Sequence, residues 1–587
     1  MLVLDIETYK NYFLVMVQRP DGKRASWEMF NDNRPDTSKL RQLLKTQTIV
    51  TFNGNSYDLP MLSGFLSGLN NAQLKTLSDY LIFTDGARWR YRDKFNIDPL
   101  EFDHIDLIEV APGMASLKIY GGRLHAPKMQ DLPIEPDAII TAEQTAPLRL
   151  YCGNDLETTR LLLDQLTPQI KLRQQMSTDY GQDLRSKSDA QIAEAVINDA
   201  LKKQKVKAVK TVIKPGTSYR YKIPAFVAFS TPPLLELLSD IKAAKFTVKD
   251  NGQIQMPATL HNRKIKIGGS VYKMGIGGLH SCEKRQTVIR PEGGCLIDRD
   301  VASYYPAIIL GQGLYPKHLT PKFLDVYRSL VERRLAAKAS GDKVTADALK
   351  ITINGSFGKF GSKYSTLYSP DLLIQTTITG QLALLMLIEQ VEQTGAQAVS
   401  ANTDGVVIRC ESKEIYNLVN DQVFVWEIIT GYETEETRYE SLHSDNVNNY
   451  LAIKEDGHKG KGRYASPGLM KNPNNLICVE AVAAYLVDGE SIAGHIQAAT
   501  DITKFVTIRT VKGGAIKDGV KLGKAIRWYY SATADGCIHY ASNNNRVPRS
   551  EGARPLMDLP ETIPADLQRQ WYIDEAEQML KDMGARQ

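Results

Sequence analysis

Short apolar runs and longer stretches with apolar residues every three or four positions alternate along the chain, and they predict strands and helices respectively. Buried strands are expected at Leu2–Thr8, 12–17 and 47–52, each bounded by polar or turn-forming residues. A helix is expected over 145–166, with Pro147 in its first turn, where proline is tolerated. The N-terminal region is therefore predicted to be of the α/β class.

The same patterns predict a second set of elements in the middle of the chain. An apolar strand is expected to end near Asp300 and to turn into a helix. Two amphipathic helices follow, one over 323–339 and one around Lys350. Two apolar strands then flank a tight turn that ends in Asp404 and Gly405, which is typical of a β-hairpin.

Length and composition restrict the class of protein. A chain of 587 residues predicts about four domains at roughly 150 residues each. Hydrophobic residues make up 43% and charged residues 24%, which excludes a disordered or fibrous protein. We expect no transmembrane helix and no secretory signal, because neither a run of about 18 apolar residues nor a basic, cleavable N-terminus is found. Six scattered cysteines without a CxxC pair disfavour disulfides and structural zinc, and favour a reducing cytoplasm.

Positive charge is concentrated in a few segments. The 72 Lys and Arg residues exceed the 67 Asp and Glu residues by 5, and the segment 201–222 contains basic but no acidic residues. This segment is either an ordinary solvated face or a surface that contacts phosphates. Near the C-terminus, amphipathic helices are expected at 479–487 and 564–583, and 512–524 is basic and glycine-rich, with no chemistry assigned to it.

Four acidic residues of the N-terminal region stand at the ends of elements from which they can converge. Asp5 and Glu7 lie two residues apart on one face of a strand, and Asp58 follows a turn into a helix. Tyr151 and Asp155 are one turn apart on the later helix. Each acid alone is more often a helix cap or a solvated charge. Together they predict a site for two divalent cations that activates water against a phosphodiester.

The central region carries a second candidate site. Asp300 stands at a strand end beside a helix start, whose backbone N–H groups can bind phosphate. Two successive helices each present polar residues on one face, namely Arg334 and Lys338, then Lys350, Asn354 and Phe357. Asp404 lies at the tip of the predicted hairpin. The structural alternatives are a capping aspartate, solvated cations and an ordinary Asp-Gly turn.

The motifs around the N-terminal acids resemble those of proofreading family B DNA polymerases. DIET at 5–8, NGNSYD at 53–58 and YCGND at 151–155 resemble the three exonuclease motifs of that family. The resemblance implies an RNase H-like 3′→5′ exonuclease domain, with two metals held by Asp5, Glu7, Asp58 and Asp155. It implies that Tyr151 orients the attacking water and that Lys128, in PKMQDLP, lies near the scissile phosphate. It also implies that the single-stranded primer end is held by Thr8, Asn53 and Tyr57.

Later segments resemble the polymerase motifs of the same family. DVASYYP at 300–306, KITINGSFG at 350–358 and ANTDG at 401–405 are similar to motifs A, B and C. The chain departs from the family pattern at Tyr304, Gly355, Phe357, Asn402 and Gly405. KGRY at 461–464 resembles a basic-aromatic motif that contacts duplex DNA, and the glycines at 277 and 278 resemble a motif that links the exonuclease and polymerase domains.

The resemblance also implies roles for individual residues of the polymerase site. Asp300, Asp404 and the carbonyl of Val301 are expected to hold two Mg²⁺ ions, with Mn²⁺ as a substitute and Asp298 as a further candidate ligand. Tyr305 is expected to exclude ribonucleotides, and Lys350 is expected to be catalytic. The dNTP is expected to be bound by Val301, Ser303, Tyr304, Tyr305, Arg334, Lys338, Lys350, Asn354 and Phe357. DNA contacts are expected from Gly277, Gly278, Lys461, Arg463 and Tyr464.

The implied architecture is α/β and multidomain, with the exonuclease domain followed by a right-hand polymerase. That polymerase comprises a palm with an antiparallel sheet, two-helix fingers and a thumb. The expected boundaries are 1–175 for the exonuclease, 176–318 for the linker and first part of the palm, 319–362 for the fingers, 363–455 for the second part of the palm, and 456–587 for the thumb and C-terminal region. About 40 residues separate motifs A and B, which favours a compact bacteriophage replicative polymerase over a protein-primed one.

The expected function is template-directed addition of dNTPs to a primer 3′ end, with proofreading, by a monomer in the host cytoplasm during phage DNA replication. Primer–template DNA and dNTPs are the expected partners, with a single-strand binding protein, a helicase and a primase as further candidates, and no membrane. Two alternatives remain open. Asn402 motivates a polymerase-impaired homologue that acts mainly as an exonuclease. A non-enzymatic single-strand binding protein is disfavoured, because acids at metal-site positions would repel phosphates.

Overall fold

The computed structural model describes residues 1–84, 90–98 and 100–585. It is a mixed α/β structure that divides into two compact units. The first unit comprises Met1–Ser188, Pro467–Cys478 and Ile496–Ile573, and the second comprises Asp189–Ser466, Val479–His495 and Asp574–Gln587. The sequence predicted a single C-terminal region over 456–587, whereas the structure groups most of that region with the N-terminal unit.

The N-terminal part of the first unit is a five-stranded sheet with helices on both faces. The strand order is β3-β2-β1-β4-β5, with β1 antiparallel to β2 and parallel to β4. The strands are β1 (Leu2–Thr8), β2 (Tyr12–Gln18), β3 (Arg24–Phe30), β4 (Ile49–Thr51) and β5 (His104–Asp106). The helices are α1 (Ser38–Thr46), α2 (Asp58–Leu66), α3 (Asn71–Phe83), α4 (Tyr91–Phe95), α5 (Leu107–Val110), α6 (Leu117–Arg123) and α7 (Thr145–Tyr180).

The alternation of side chains along β1 explains the two cores of this sheet. Leu4 and Ile6 pack into a cluster with α2 and α3, whereas Val3 packs into the opposite cluster with α7. Because side chains alternate across a strand, Asp5 and Glu7 lie on the same face as Val3. The helix predicted to begin at Thr145 does so, but it continues through Pro168 to Tyr180 because its apolar residues remain buried beyond Leu166.

The second unit is built on a seven-stranded sheet with the order β16-β13-β15-β14-β11-β10-β9. Two smaller sheets have the orders β12-β17-β18-β19 and β6-β7-β8. The strands of these three sheets are β6 (Ser218–Tyr219), β7 (Phe246–Val248), β8 (Ile254–Gln255), β9 (Ile265–Ile267), β10 (Ser270–Met274), β11 (Leu279–Ser281), β12 (Gln286–Ile289), β13 (Cys295–Val301), β14 (Gln397–Asn402), β15 (Gly405–Cys410), β16 (Thr434–Tyr439), β17 (Ser441–Asn446), β18 (Asn449–Lys454) and β19 (Gly457–Lys461). The helices of the second unit are α8 (Asp189–Lys203), α9 (Pro232–Ala243), α10 (Tyr304–Gly311), α11 (Lys322–Ser340), α12 (Lys343–Phe360), α13 (Pro370–Gln393) and α14 (Lys413–Thr430).

The two faces of this sheet pack against different elements, and this shows which face carries the polar residues of β13. Ile297 and Val301 belong to a large core that includes α13 and α14. Leu296 belongs to a smaller cluster with Leu442 and Ala452, on β17 and β18. Since side chains alternate along the strand, Asp298 and Asp300 share the face of Leu296.

The helix α13 is long and apolar enough to cross a membrane by its length and composition alone. Of its most apolar window, 83% is buried inside the protein, and it forms much of the core under the seven-stranded sheet. Burial in a core explains this composition, and no other helix in the described part of the chain passes the same test.

The C-terminal elements include a four-stranded sheet with the order β22-β20-β21-β23 in the first unit. They are α15 (Leu476–Asp488), α16 (Ile492–Ala498), β20 (Thr507–Lys517), β21 (Val520–Tyr530), β22 (His539–Tyr540), β23 (Ala553–Pro555) and α17 (Arg569–Asp582). The helices predicted at 479–487 and 564–583 correspond to α15 and α17. The basic, glycine-rich segment 512–524 forms most of the β20–β21 hairpin, whose register shifts between Thr510 and Ala515.

Candidate active sites

The first acidic cluster joins one strand to two helices of the first unit. Asp5 and Glu7 come from β1, Asp58 is the first residue of α2, and Asp155 lies on the face of α7 that covers the sheet. Burial, together with the charge of Asp155, raises the pKa of Asp5 to about 7. Burial and the neighbouring Asp5 raise the pKa of Glu7 well above its usual value. The sequence-predicted acids are therefore brought together.

Asp58 and Asp155 share this electrostatic environment. Burial raises the pKa of Asp58, and the carboxylate of Asp5 raises it further. Burial also raises the pKa of Asp155, which the ammonium of Lys118 lowers in part. A cluster of carboxylates that repel one another binds a proton or a cation more readily than isolated acids do. Oxygen donors of this kind fit a divalent cation such as Mg²⁺.

A buried aspartate that the sequence analysis missed shapes the turn that carries Asp58. Asp106 is 1% exposed and accepts hydrogen bonds from the backbone N–H groups of Asn53 at 2.8 Å and Asn55 at 2.9 Å. Asn53 has a φ of 68°, a left-handed conformation that asparagine tolerates better than most residues. No sequence signal points to Asp106, because its partners are backbone groups far away in the chain.

Lys118, rather than Lys128, is the lysine at the first cluster. Its Nζ donates to the hydroxyl of Tyr151 at 2.6 Å and lies 3.4 Å from Asp155. The same Nζ donates to the carbonyl of Gln130 at 2.8 Å, which holds the ammonium in place. Lys128 instead lies 3.9 Å from Asp558, with half of its side chain exposed. The sequence analysis chose Lys128 because of the motif around it, whereas α6 carries Lys118 to the acids.

The residues expected to hold a single-stranded end lie on the two elements that carry the acids. Thr8 is the last residue of β1, one position after Glu7. Tyr57 immediately precedes α2, and its hydroxyl forms a 2.9 Å hydrogen bond with Ser78. Their closeness to the acids follows from chain connectivity, and whether they contact DNA stays a prediction.

The second acidic cluster lies in the second unit. Asp300 is next to last on β13, and Asp404 lies in the two-residue turn between β14 and β15. These strands pair so that Asp300 is opposite Gly405, and the N–H of Val301 donates to the carbonyl of Asp404 at 2.7 Å. Both aspartates line one cavity of about 600 Å³. Residues 104 positions apart in the sequence are therefore neighbours at one end of the sheet.

A third carboxylate and two lysines complete this cavity. Asp298 is 6% exposed, accepts a 2.5 Å hydrogen bond from Tyr439, and forms an ion pair with Lys459 at 3.3 Å. Lys459 also lies 4.0 Å from Asp300, and Lys461 lines the same cavity. The sequence analysis missed Lys459, which stands on the same face of β19 as Lys461.

Electrostatics in this cavity favour an added cation. Desolvation by the cavity wall raises the pKa of Asp300 to about 6, and the charges of Asp298 and Asp404 contribute. Partial desolvation also raises the pKa of Asp404, although its carboxylate remains exposed at the cavity mouth. Desolvation lowers the pKa of Lys461. The three carboxylates supply the hard oxygen donors that Mg²⁺ prefers.

Gly405 is required by the position of Asp300. Because the two residues are opposite one another on the same face of the sheet, a Cβ at Gly405 would lie 2.1 Å from Oδ1 of Asp300. The next contacts, to Cγ of Asp300 and the carbonyl of Arg299, are at 3.2 and 3.5 Å. A side chain at this position would therefore turn the carboxylate away without disturbing the backbone.

If this cavity catalyses the primer extension expected from the sequence, Gly405→Ala should lower its rate by about 100-fold, since a misplacement near 1 Å can cost that much in rate. The 3′ digestion expected at the first cluster and the thermal unfolding temperature should change little. Steady-state assays of both reactions measure this. Gly311→Ala is the matched control, because a Cβ there meets nothing within 4 Å. Equal extension by both variants would show that a side chain at position 405 does not displace the carboxylate of Asp300.

The two helices α11 and α12 present the predicted basic residues. The guanidinium of Arg334 donates to the hydroxyl of Ser303 at 3.1 Å, which ties α11 to the start of α10. Lys338, Lys350 and Asn354 are exposed. A single face of α12 carries Lys350, Asn354 and Phe357, as the spacing predicted.

Aromatic stacking connects α10 to α12. The ring of Tyr305 lies 4.0 Å from that of Phe357, with an angle of 12° between their planes. The hydroxyl of Tyr305 donates to the carbonyl of Gly277 at 2.8 Å. Gly278 backs onto the hairpin tip, because a Cβ there would lie 2.8 Å from the hydroxyl of Thr403. These glycines therefore position Tyr305 and the turn that carries Asp404.

Two interpretations from the sequence need correction, and the structure also gives a reason for Gly355. Tyr304 is a core residue, 4% exposed, whose hydroxyl donates to the carbonyl of Gly380 at 2.5 Å, so it is not available to a dNTP. Tyr464 is 2% exposed and donates to Asp445 at 3.0 Å, so it is not a DNA-contacting surface. Gly355 serves helix packing, since a Cβ there would lie 2.6 Å from the carbonyl of Asp189.

Lys461 and Arg463 differ in their freedom to contact a phosphate. Lys461 faces the cavity of Asp404. Arg463 keeps about a third of its side chain exposed, yet its Nε lies 2.7 Å from Asp445 and one of its terminal nitrogens lies 3.8 Å from Asp582. Lys461 is therefore the better placed of the two for binding an anion near the acids.

Two comparisons with known proteins find similarity to DNA polymerases. No protein-family model matches the chain. Over 137 residues the chain is 31% identical to DNA polymerase 1 of Aeropyrum pernix, and the match covers 21% of this chain and 14% of that protein. The matched segment is thus far less than two thirds of the relative's length. The structure of the family B DNA polymerase from Pyrobaculum calidifontis aligns over 99% of this chain and 77% of its own, at 14% identity and a TM-score of 0.42. A likeness at that score does not establish a shared fold.

Proposed function

We propose that this chain is a family B DNA polymerase that extends a primer on a template strand and proofreads with a 3′→5′ exonuclease. The observation that carries the proposal is the pairing of β13 with the β14–β15 hairpin, which brings Asp300 and Asp404 to one cavity. The separate cluster around Asp5 accounts for the second activity. The segment similar to a DNA polymerase of Aeropyrum pernix supports the same class.

At the polymerase site, Asp300, Asp404 and the carbonyl of Val301 would hold two Mg²⁺ ions, which Mn²⁺ could replace. Bound there, such ions lower the pKa of a primer 3′-hydroxyl and neutralise charge on the triphosphate. The chain itself contributes paired strand ends that hold the backbones of Asp300 and Asp404 next to each other. Helices α11 and α12 offer the triphosphate the cations Arg334, Lys338 and Lys350. Asn354 and Phe357 lie beside the nucleotide, and Ser303 lies at the start of α10.

At the exonuclease site, Asp5, Glu7, Asp58 and Asp155 would hold the metals that activate water against the last phosphodiester. Tyr151 orients that water, and its hydroxyl is positioned by Lys118. Thr8, Asn53 and Tyr57 bind the single-stranded primer end. Because template sequence is read by base pairing, Lys461 and Arg463 contact the DNA backbone without base preference.

We expect Lys118→Ala to slow 3′ digestion by about 100-fold, the cost of losing one positioned donor at a charged site. Lys128→Ala is the matched control and should stay within about twofold of wild type, because its ammonium pairs with Asp558 at the surface. Digestion of a single-stranded oligonucleotide under single-turnover conditions measures both. The opposite ranking of the two variants would restore Lys128 to the site.

We expect Tyr305→Ala to raise incorporation of ribonucleotides relative to deoxyribonucleotides by about 10- to 200-fold, the range that a steric pocket supplies. In the proposed site the ring, which stacks on Phe357, would occupy the space that a 2′-hydroxyl needs. Tyr305→Phe is the control, since it keeps the ring and loses only the hydrogen bond to Gly277. If the alanine variant discriminates as well as wild type, Tyr305 is not the gate.

A polymerase-impaired homologue that acts mainly as an exonuclease is the second candidate. Asn402 stands where the family pattern has an aspartate, and it lines the cavity next to Thr403 and Asp404. One primer–template assay in Mg²⁺ distinguishes the two candidates. With dNTPs the primer should lengthen, and without dNTPs it should shorten. Shortening in both conditions would favour the second candidate, and no reaction in either would favour a binding protein.

The proposed biological setting is replication of a bacteriophage genome in the host cytoplasm. Primer–template DNA and dNTPs are the proposed partners of a monomer, and a single-strand binding protein, a helicase and a primase are further candidates. Similarity of the sequence motifs and the short spacing between motifs A and B support this setting. Co-purification from infected cells would test it.

A further inference from the structure

A thiol lies among the acids of the exonuclease cluster, and it has no place in the magnesium chemistry proposed above. Cys152 is 0% exposed, and its Sγ lies 3.5 Å from Oδ2 of Asp5. Asp5, Glu7 and Cys152 each offer one ligand atom, and these three atoms lie within 4.8 Å of one another. Cys152 reaches this position because it is on the face of α7 that covers the sheet, between Tyr151 and Asp155.

The 3.5 Å separation of Sγ of Cys152 from Oδ2 of Asp5 suits a metal ion with both oxygen and sulfur ligands. A tetrahedral zinc ion with ordinary bond lengths holds its sulfur and oxygen ligands about 3.5 Å apart, close to the separation found here. Mg²⁺ gains little from sulfur, because it is a hard cation that prefers oxygen. Zn²⁺ and Cd²⁺ bind thiolate strongly and accept carboxylate as well. The thiol therefore adds a ligand that only the softer ions can use.

Resting on the exonuclease proposed above, we infer that Cys152, Asp5 and Glu7 form a mixed sulfur–oxygen site that binds Zn²⁺ or Cd²⁺ in competition with Mg²⁺. Binding of such an ion releases the thiol proton to solvent, and no oxidation takes place. Occupation by a zinc-class ion replaces the magnesium arrangement and stops digestion. Cys152 thereby makes proofreading sensitive to thiophilic metals.

The direct test is titration of the full-length, metal-free protein with Cd²⁺, followed by the ultraviolet charge-transfer band of a cadmium–thiolate bond. Wild type should show a saturable band, and Cys152→Ser should lose one equivalent of bound Cd²⁺. Cys282→Ser is the matched control, since it removes an exposed thiol in the other unit. Asp5→Asn should weaken Cd²⁺ binding by at least about tenfold, because the site then loses a carboxylate.

Two outcomes with the variants would overturn the inference. One is an unchanged band and stoichiometry in Cys152→Ser, and the other is unchanged Cd²⁺ affinity in Asp5→Asn. X-ray absorption of the wild-type cadmium complex should show both sulfur and oxygen neighbours, and oxygen alone would also overturn it. This last measurement needs no variant, so a variant that fails to fold does not rescue the inference.

Inhibition of digestion provides a second readout. The Zn²⁺ concentration that halves magnesium-dependent digestion should rise at least about tenfold in Cys152→Ser relative to wild type. The two proposals fail separately. If Cys152→Ser loses cadmium binding but the wild-type protein digests nothing, the inference stands and the nuclease proposal fails. If digestion requires Mg²⁺ but cadmium binding does not depend on Cys152, the nuclease proposal stands and the inference fails.

Discussion

Replacing Asp404 with alanine is expected to abolish primer extension, with a loss of at least about 1000-fold, while 3′ digestion continues. The carboxylate at the hairpin tip is exposed at the cavity mouth beside Asp300, and in the proposed mechanism it is one of two side chains that hold both ions. Removing one acid from such a pair removes charge stabilisation that is made in the transition state. Rapid-quench extension of a labelled primer by one nucleotide measures the loss.

The informative control for Asp404→Ala is the nearby residue Asn402, which lines the same cavity. Asn402→Ala keeps both proposed ligands and should retain measurable extension. If Asp404→Ala and Asn402→Ala extend primers equally well, the hairpin tip does not hold a metal. Loss of digestion as well as extension in Asp404→Ala would indicate misfolding rather than a missing ligand, and thermal unfolding would show it.

Replacing Asp5 with alanine should give the reverse result, with digestion reduced at least about 1000-fold and extension unchanged. Asp5 belongs to the first unit and is linked by charge to Glu7, Asp58 and Asp155, so its loss breaks only the N-terminal cluster. Mismatched primer ends should then be extended without removal. A digestion rate unaffected by the change would place the nuclease elsewhere.

The sequence predicts best those parts of the sites that local periodicity determines. Asp5 and Glu7 share a face because strand side chains alternate, and Asp404 lies at a hairpin tip because two apolar strands flank a short polar turn, which the structure places at Thr403-Asp404 just before Gly405. The common face of Lys350 and Phe357 follows in the same way from helical spacing. In each case a few neighbouring residues contain all the information that is needed.

Residues that act through distant partners could not be predicted in this way. Asp106 binds backbone N–H groups about 50 positions earlier in the chain, and Lys459 meets Asp298 across 161 positions. Lys118 is chosen over Lys128 by the packing of α6 against α7, which no local pattern reports. Side-chain chemistry at these positions becomes visible only once the sheet and helices are assembled.

The adjacent tyrosines 304 and 305 show why a motif can be read correctly and still mislead. Both occupy a segment that resembles motif A, yet successive residues at a helix start point in different directions. Tyr304 enters the core and bonds to Gly380, whereas Tyr305 stacks on Phe357. The β20–β21 hairpin was missed for a different reason, since glycines and lysines interrupt its apolar alternation.

The most direct test of the central claim asks whether one bound cation is shared by Asp300 and Asp404. Fe²⁺ bound in place of Mg²⁺ cleaves the nearby backbone when ascorbate and peroxide are added, and mass spectrometry maps the cuts. The account predicts cuts near both residues 300 and 404, with both lost in Asp404→Ala. A cut near only one of them, or an undiminished cut near residue 300 in that variant, would contradict it.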